Sequence, residues 1–454
     1  MQTNHKTSSA SFWQTPLLLV CAVGAISILA DASLPAEQAK TAPGEHWIGT
    51  WATAAQSAPA PDRAPEFRNQ SLRLIVHTSA GGTQVRIRLS NLFGERQLVI
   101  GAAHIARRAG GADIDPASGR RLTFSGQVSA KVAPHAMVIS DPVALDVPAL
   151  SDLAISLFFP EIASAGTLHA LAIQTNYVSA PGTGDSTAAA KFPAASTLTS
   201  WPFLVGVDVA ASSHAASIVA FGSSLTDGDG STDDTNQRWP DVLAERLQKS
   251  GDRELSVLNE GIIGNRLLSD YQSPRQVGGS LPLGQFFEQR GPQLGQSGLA
   301  RFDRDVLEQA GVRYVILALG VNDIVFPGSF IPATERVGAE SLIAGNRQLI
   351  ARAHKKGIRA IGATIPPFEH AFFGNHLFND FYSPENEKVR QQVNAWVRTS
   401  REFDGVIDFD QAVRDPNRPT QLLPAFDAGD HMHVNNAGNV AQGNAISLLL
   451  FHGH

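Results

Sequence analysis

Residues 217–228 read SIVAFGSSLTDG: an apolar run after Ser217, then a glycine, two serines and a short polar stretch. A short apolar run without period-two alternation marks a strand buried on both faces, as parallel strands are. Similar runs recur at 255–258, 313–319 (RYVILAL), 359–364 and 406–409. Between them lie segments with helical spacing, at 240–248, 301–309, 335–355 and 387–401. In the first of these, Leu243 and Leu247 fall four apart on one face, and Pro240 suits a first helical turn. A last helix is expected from 437 towards 450, with Asn435 and Asn436 as caps. Strands alternating with helices predict βαβ units around a five-stranded parallel sheet, hence an α/β domain over 213–454. Ligands of such sheets bind beyond the carboxyl ends of the strands, so the chemistry belongs in the loops that follow these runs.

Upstream the period changes to two. In residues 83–90 (TQVRIRLS), Val85, Ile87 and Leu89 alternate with Gln84, Arg86 and Arg88, the pattern of a strand with one buried face. Leu72, Leu74 and Val76 start another strand, and 122–125, 136–139, 153–159 and 174–178 supply further short ones. Turn signals such as Gly110-Gly111 and Asp141-Pro142 separate them, which predicts an antiparallel β-sandwich over 46–208. Residues 33–45 are polar and rich in proline and alanine, a flexible lead-in. Residues 16–30 (PLLLVCAVGAISILA) are apolar, follow a weakly basic start, and end in Ala30-Asp31-Ala32. That is the layout of a secretory signal peptide over 1–32, cleaved after Ala32. The alternative, an uncleaved anchor, would need roughly 20 apolar residues to span a bilayer, more than this stretch holds. Val20 before Cys21 does not fit a lipoprotein site.

Composition narrows the function classes. The 454 residues carry 36 Lys+Arg against 42 Asp+Glu, a net charge of −6, with 43% hydrophobic and 17% charged residues. This excludes a largely disordered chain and a polybasic nucleic-acid binder. The single cysteine, Cys21, excludes a disulfide framework and a cysteine-based zinc site.

The loops carry a definite inventory. After the first strand comes Gly222-Ser223-Ser224-Leu225-Thr226-Asp227; after the second, Asn259-Glu260-Gly261-Ile262-Ile263-Gly264-Asn265; after the third, Gly320-Val321-Asn322-Asp323. The segment before the last helix is Asp427-Ala428-Gly429-Asp430-His431-Met432-His433. A hydroxyl, a glycine amide, a side-chain amide, a carboxylate and an imidazole are thus expected at one sheet edge. Acyl transfer needs that set. A serine hydroxyl attacks only when an imidazole takes its proton, and the imidazole needs a carboxylate to fix its tautomer. The tetrahedral oxyanion needs preorganised N–H donors, each worth roughly 3 kcal/mol.

In this order and spacing the four segments resemble the signature blocks of the SGNH (GDSL-type) hydrolases, serine esterases on a flavodoxin-like three-layer α/β/α fold. The resemblance runs from about residue 217 to the C-terminus. Gln237-Arg238-Trp239-Pro240-Asp241 and residues 301–307 are similar to a secreted group associated with xylan-degrading esterases. Members of that group carry an N-terminal β-domain whose start is similar to Trp47-Ile48-Gly49-Thr50-Trp51. The resemblance implies Ser224 as nucleophile, His433 as base and Asp430 as its orienting carboxylate. It implies an oxyanion hole from the Ser224 and Gly264 amides and the Asn322 side chain, with no metal or organic cofactor. The expected substrate is a short acyl ester, acetyl-type, on a small molecule or polysaccharide. Neither a nucleic-acid partner nor stable membrane association after signal cleavage is expected. A lipid or aryl ester hydrolase and a non-catalytic carbohydrate-binding protein are the alternatives. The departure is Ser223, which stands where the family's Gly-Asp-Ser-Leu has aspartate and leaves two adjacent serines to choose between; position favours Ser224.

Other features read as structural. The stretch Asp430-His431-Met432-His433 could hold a metal through histidine and carboxylate, but no further ligands are identifiable. Residues 227–234 (DGDGSTDD) lack the glycine and glutamate of a calcium loop and read as a solvated turn. Asn69-Gln70-Ser71 is a glycosylation sequon by pattern alone. Trp47, Trp51 and Trp201 read as core or interface residues, and His370, His376, His452 and His454 show no evident partner.

Overall fold

Strand β1 (Ala216–Gly222) leads into a four-residue helical turn, α1 (Ser224–Asp227), and then α2 (Trp239–Ser250). The chain continues through β2 (Leu255–Gly261), α3 (Gly298–Phe302), β3 (Val312–Ala318), α4 (Val321–Val325) and α5 (Ala339–Lys355). It closes with β4 (Arg359–Ala363), α6 (Pro384–Thr399), β5 (Gly405–Ile407), α7 (Phe409–Val413) and α8 (Asn436–Ala445). The computed structural model describes residues 46–59, 64–271, 291–372 and 381–452. The expected signal peptide, the lead-in, Cys21, His376 and His454 lie outside them.

All five strands are parallel, in the order β2-β1-β3-β4-β5. That is the flavodoxin-like order, with its reversal between β1 and β3. Both faces are covered, which is why the strands read as continuous apolar runs. Val219, Phe221, Val315 and Leu317 pack against Leu342, Leu349 and Ala353 of α5 and Val393 and Val397 of α6. Ile218, Ala220 and Ile316 face the other way, onto Trp239, Leu243 and Leu247 of α2. The backbone N–H of Trp239 donates to Asn439 Oδ1 (3.0 Å), fixing α8 against α2. Two expected helices end earlier than their sequence spacing suggests. The 301–309 helix passes into a π-helical turn at Asp303–Leu307, and the last helix stops at Ala445, where Ile446 turns extended.

The N-terminal part holds two larger antiparallel sheets, with smaller two- and three-stranded ones beside them. In one, His46–Ala52, Leu204–Ala211, Gly82–Ser90 and Met137–Ile139 lie side by side. In the other, Gln70–His77 and Asp152–Phe159 are central, flanked by Asn176–Ser179 and Ala102–Gly110. Val85, Ile87 and Leu89 of the first sheet share one core with Leu72, Leu74 and Val76 of the second. Alternate residues facing inward from two sheets is the expected sandwich arrangement. Trp47, Trp51 and Trp201 are all buried.

The sandwich and the parallel sheet belong to one compact unit, Thr41–His454. Gly49 N donates to Ala310 O (3.0 Å), and Val257 N on β2 donates to Ser79 Oγ (3.0 Å). Asp208 pairs with Arg86 (3.1 Å) and Arg88 (3.3 Å), and Arg88 donates to Gln309 Oε1 (2.6 Å). Gln309 in turn donates to Glu260 Oε1 (2.8 Å). Burial, together with the neighbouring Asp305, pushes the Glu260 carboxyl well above its ordinary range.

Candidate active site

The carboxyl ends of β1, β2 and β3 meet at the reversal of strand order, and each delivers one group. Ser224 opens α1 immediately after β1, with Ser223 as its N-terminal cap. Gly228 closes the turn in a left-handed conformation, and its N–H returns to Ser224 O (2.8 Å). Of the two adjacent serines, Ser223 is fully buried and its Oγ has no hydrogen-bond partner. Ser224 Oγ lies 2.8 Å from His433 Nε2.

The loop after β2 approaches the Ser224 turn so closely that a Cβ on Gly261 would lie 2.2 Å from Asp227 N. Ile263 N donates to Asp227 Oδ2 (3.1 Å), tying that loop to α1. Gly264 then takes φ +68°, and a Cβ there would press to 2.4 Å from the Leu294 side chain. Only glycine meets both conditions without strain. Asn322 enters from α4, and its amide donates to Asn265 O (2.9 Å), which fixes its orientation. Beside it Asp323 accepts from Leu267 N (2.7 Å) and Leu268 N (3.0 Å); burial lifts its carboxyl to about 6.

The fourth group comes from the segment before α8. Asp430 Oδ1 accepts from the backbone of Met432 (3.0 Å) and His433 (2.8 Å), and Oδ2 lies 2.5 Å from His433 Nδ1. A carboxylate only accepts, so Nδ1 carries the proton and Nε2 is left to accept from Ser224. Burial raises the Asp430 pKa, but the bond to His433, its charge and the two amides outweigh that and hold it at about 2. Burial also lowers His433, yet Asp430, Asp229 and Asp427 together raise it above its ordinary value.

A cavity of about 500 Å³ opens on these groups; Ser224, Gly264, Asn322 and His433 all line it. Leu294, Phe326, Phe330 and Phe381 supply apolar wall, and Ala170, Leu171 and Thr199 of the sandwich region close another side. All five residues singled out from the sequence therefore meet: four line the cavity, and Asp430 stands behind His433.

Three further residues escaped the sequence reading. Arg301, fully buried, donates to Gly222 O (2.9 Å), Glu260 O (2.8 Å), Asn265 Oδ1 (3.0 Å) and Asp305 (3.0 Å). It thereby clamps the ends of β1 and β2. His169, from the sandwich region, places Nδ1 2.9 Å from Ala54 O and Nε2 3.0 Å from Asp227 Oδ1. Asp229 lies 3.7 Å from His433 Nε2. Residues 227–234 are accordingly only in part a solvated turn: Asp227 is buried and Asp234 binds Thr175 and Gln174. Nothing in a run of aspartates and glycines marked which of them would face His433 or His169.

Other histidines also find partners. His431 Nδ1 pairs with Asp427 Oδ2 (2.5 Å), His370 meets Gln421 (3.1 Å) and His452 lies 3.4 Å from Asp252. Among the described residues no three His, Cys, Asp or Glu side chains converge to hold a metal ion, and no helix is long and apolar enough to cross a membrane.

The family profile described as GDSL-like lipase/acylhydrolase matches residues 218–446. No curated protein matches the sequence. Among solved structures the chain is similar to the native aryl esterase of M. smegmatis, at 18% identity over 51% of this chain and 96% of that one, with a TM-score of 0.37. A carbohydrate acetylesterase family member from Sinorhizobium meliloti shares 17% identity over 51% and 94%, with a TM-score of 0.36. A GDSL-like lipase from Bacteroides thetaiotaomicron shares 16% over 52% and 87%, with a TM-score of 0.33.

Proposed function

The chain belongs to the GDSL-like lipase/acylhydrolase family and is an ester hydrolase, and from that premise we propose that it works through a Ser224 acyl-enzyme. His433 takes the Ser224 proton as Oγ attacks the ester carbonyl, then gives it to the leaving alcohol; Asp430 holds the imidazole and stabilises its cation. The oxyanion is held by the amides of Ser224 and Gly264 and the second N–H of the Asn322 side chain. Water, activated by the same histidine, then releases the acid. The observation that carries this reading is the unbroken relay from Asp430 to His433 (2.5 Å) to Ser224 (2.8 Å).

The substrate reading follows the motif resemblance: a short acyl ester, acetyl-type, on a carbohydrate. A second reading has its own support. The phenylalanine-walled cavity of about 500 Å³ is far larger than an acetyl methyl needs, and it favours an aryl or longer acyl ester. Export is part of the proposal, with cleavage after Ala32; the intact mass of protein recovered from outside the cytoplasm checks it.

The test is hydrolysis of p-nitrophenyl acetate, butyrate and octanoate by the wild type, Ser224→Ala and Ser223→Ala. Ser224→Ala should lose at least about 10³-fold in kcat, while Ser223→Ala keeps most of it. Preference for acetate supports the acetyl reading, and preference for longer chains supports the second. Turnover indifferent to Ser224 sinks the mechanism.

A further inference from the structure

Asp229 follows Ser224 by five residues, and its backbone N–H donates to Ser224 O (3.0 Å). The nucleophile turn itself thus sets where this carboxylate stands. It stands 3.7 Å from His433 Nε2, the nitrogen that also faces Ser224 Oγ, and its side chain is 35% exposed at the cavity wall. Among the described residues lining the cavity it is the one carboxylate, and none of them is a lysine or arginine.

We infer that Asp229 sets substrate specificity: it admits esters of neutral or cationic alcohols and rejects those whose leaving group is anionic near the ester oxygen. This rests on the acyl-enzyme reading above. A histidine that protonates the leaving oxygen must come within hydrogen-bond reach of it, so that oxygen has to lie beside Nε2. Any group attached to it then sits within a few ångströms of Asp229. At such distances in a partly dried cleft, an anion on the alcohol is repelled and a cation attracted, with no lysine or arginine among the described lining to offset the carboxylate. A neutral hydroxyl on the alcohol instead donates to it. Phosphate- or carboxylate-bearing alcohols are therefore the class excluded.

Asp229 also faces the imidazole together with Asp430 and Asp427, which come from the segment before α8; His431 is held by Asp427. Removing the charge while keeping the shape should relax both effects at once.

The experiment compares the full chain with Asp229→Asn on three butyrate esters: phenyl, 4-sulfophenyl and 4-(trimethylammonio)phenyl. Dividing the variant's kcat/KM by the wild type's for each ester cancels the intrinsic reactivity of the leaving group. The ratio should rise about tenfold for the sulfonate relative to the phenyl ester and fall by a similar factor for the ammonium ester, both shrinking as salt rises. The acid limb of the phenyl-ester pH profile should also move down. Equal ratios for all three esters overturn the assignment of Asp229 alone. Failure of the wild type to hydrolyse even the phenyl ester overturns the acyl-enzyme reading, and this inference with it.

Discussion

The imidazole of His433 works between two partly exposed carboxylates: Asp430 on Nδ1, and Asp229, beside the Ser224 hydroxyl, on Nε2. To accept the serine proton it must be neutral. Desolvation favours that form, but the surrounding aspartates favour the cation more, so the proton is held more tightly than by an ordinary histidine. The sign follows: activity is lost on the acid side, and the limb of kcat/KM lies above the ordinary histidine value of about 6.5. Asp430→Asn removes one of the charges that raise it and frees the wrong tautomer. The expected result is a lower limb and a fall in kcat of about 10⁴. A limb that stays in place in the variant would show that Asp430 does not govern the proton. Ser224, Asp430 and His433 could be singled out before any coordinates because their segments match the family's blocks in order and spacing, and the structure brings the three side chains together. Asp229 could not, because a polar turn of aspartates and glycines looks the same whether it meets water or a catalytic ring.

At the scale of elements, the ends of β1 and β2 are pinned by one side chain. Arg301 reaches carbonyls on both strands and the loop behind Gly264, and stacks its guanidinium over Phe221 (4.1 Å). Arg301→Ala leaves Asp305 to Arg304 alone and takes one donor from each of the Gly222 and Glu260 carbonyls. It should cost about 3 kcal/mol of stability, read as a lower urea midpoint, with activity falling through a displaced Gly264. A midpoint within error of the wild type would disprove the clamp. The parallel strands were legible because burial on both faces leaves long apolar runs, and the sandwich strands because one-sided burial leaves alternation. The π-helical turn after Phe302 was not, since its residues carry helical spacing and nothing in their order announces a widened turn.

Across the whole molecule, charged and polar bridges join the sandwich to the parallel sheet. Arg88 and Gln309 carry one from Asp208 to Glu260, and His169 carries another to Asp227. Buried charges separated from their partners are expensive to expose. The described chain should therefore unfold as one cooperative unit, with a single calorimetric transition coincident with loss of esterase activity. Two resolved transitions would refute this. A fragment beginning at residue 213 should be inactive and prone to aggregate, since Leu258 packs under Gly49 and Gln309, which holds Glu260, would lose Arg88. The walls of the reaction cavity have a consequence for how such enzymes diverge. Because Ala170, Leu171 and Thr199 belong to the sandwich, the half of the chain that carries no reacting group still moulds what the other half can bind. Recombination that exchanges residues 163–203 but keeps His169 on Asp227 would leave the reacting groups in place and change the diet.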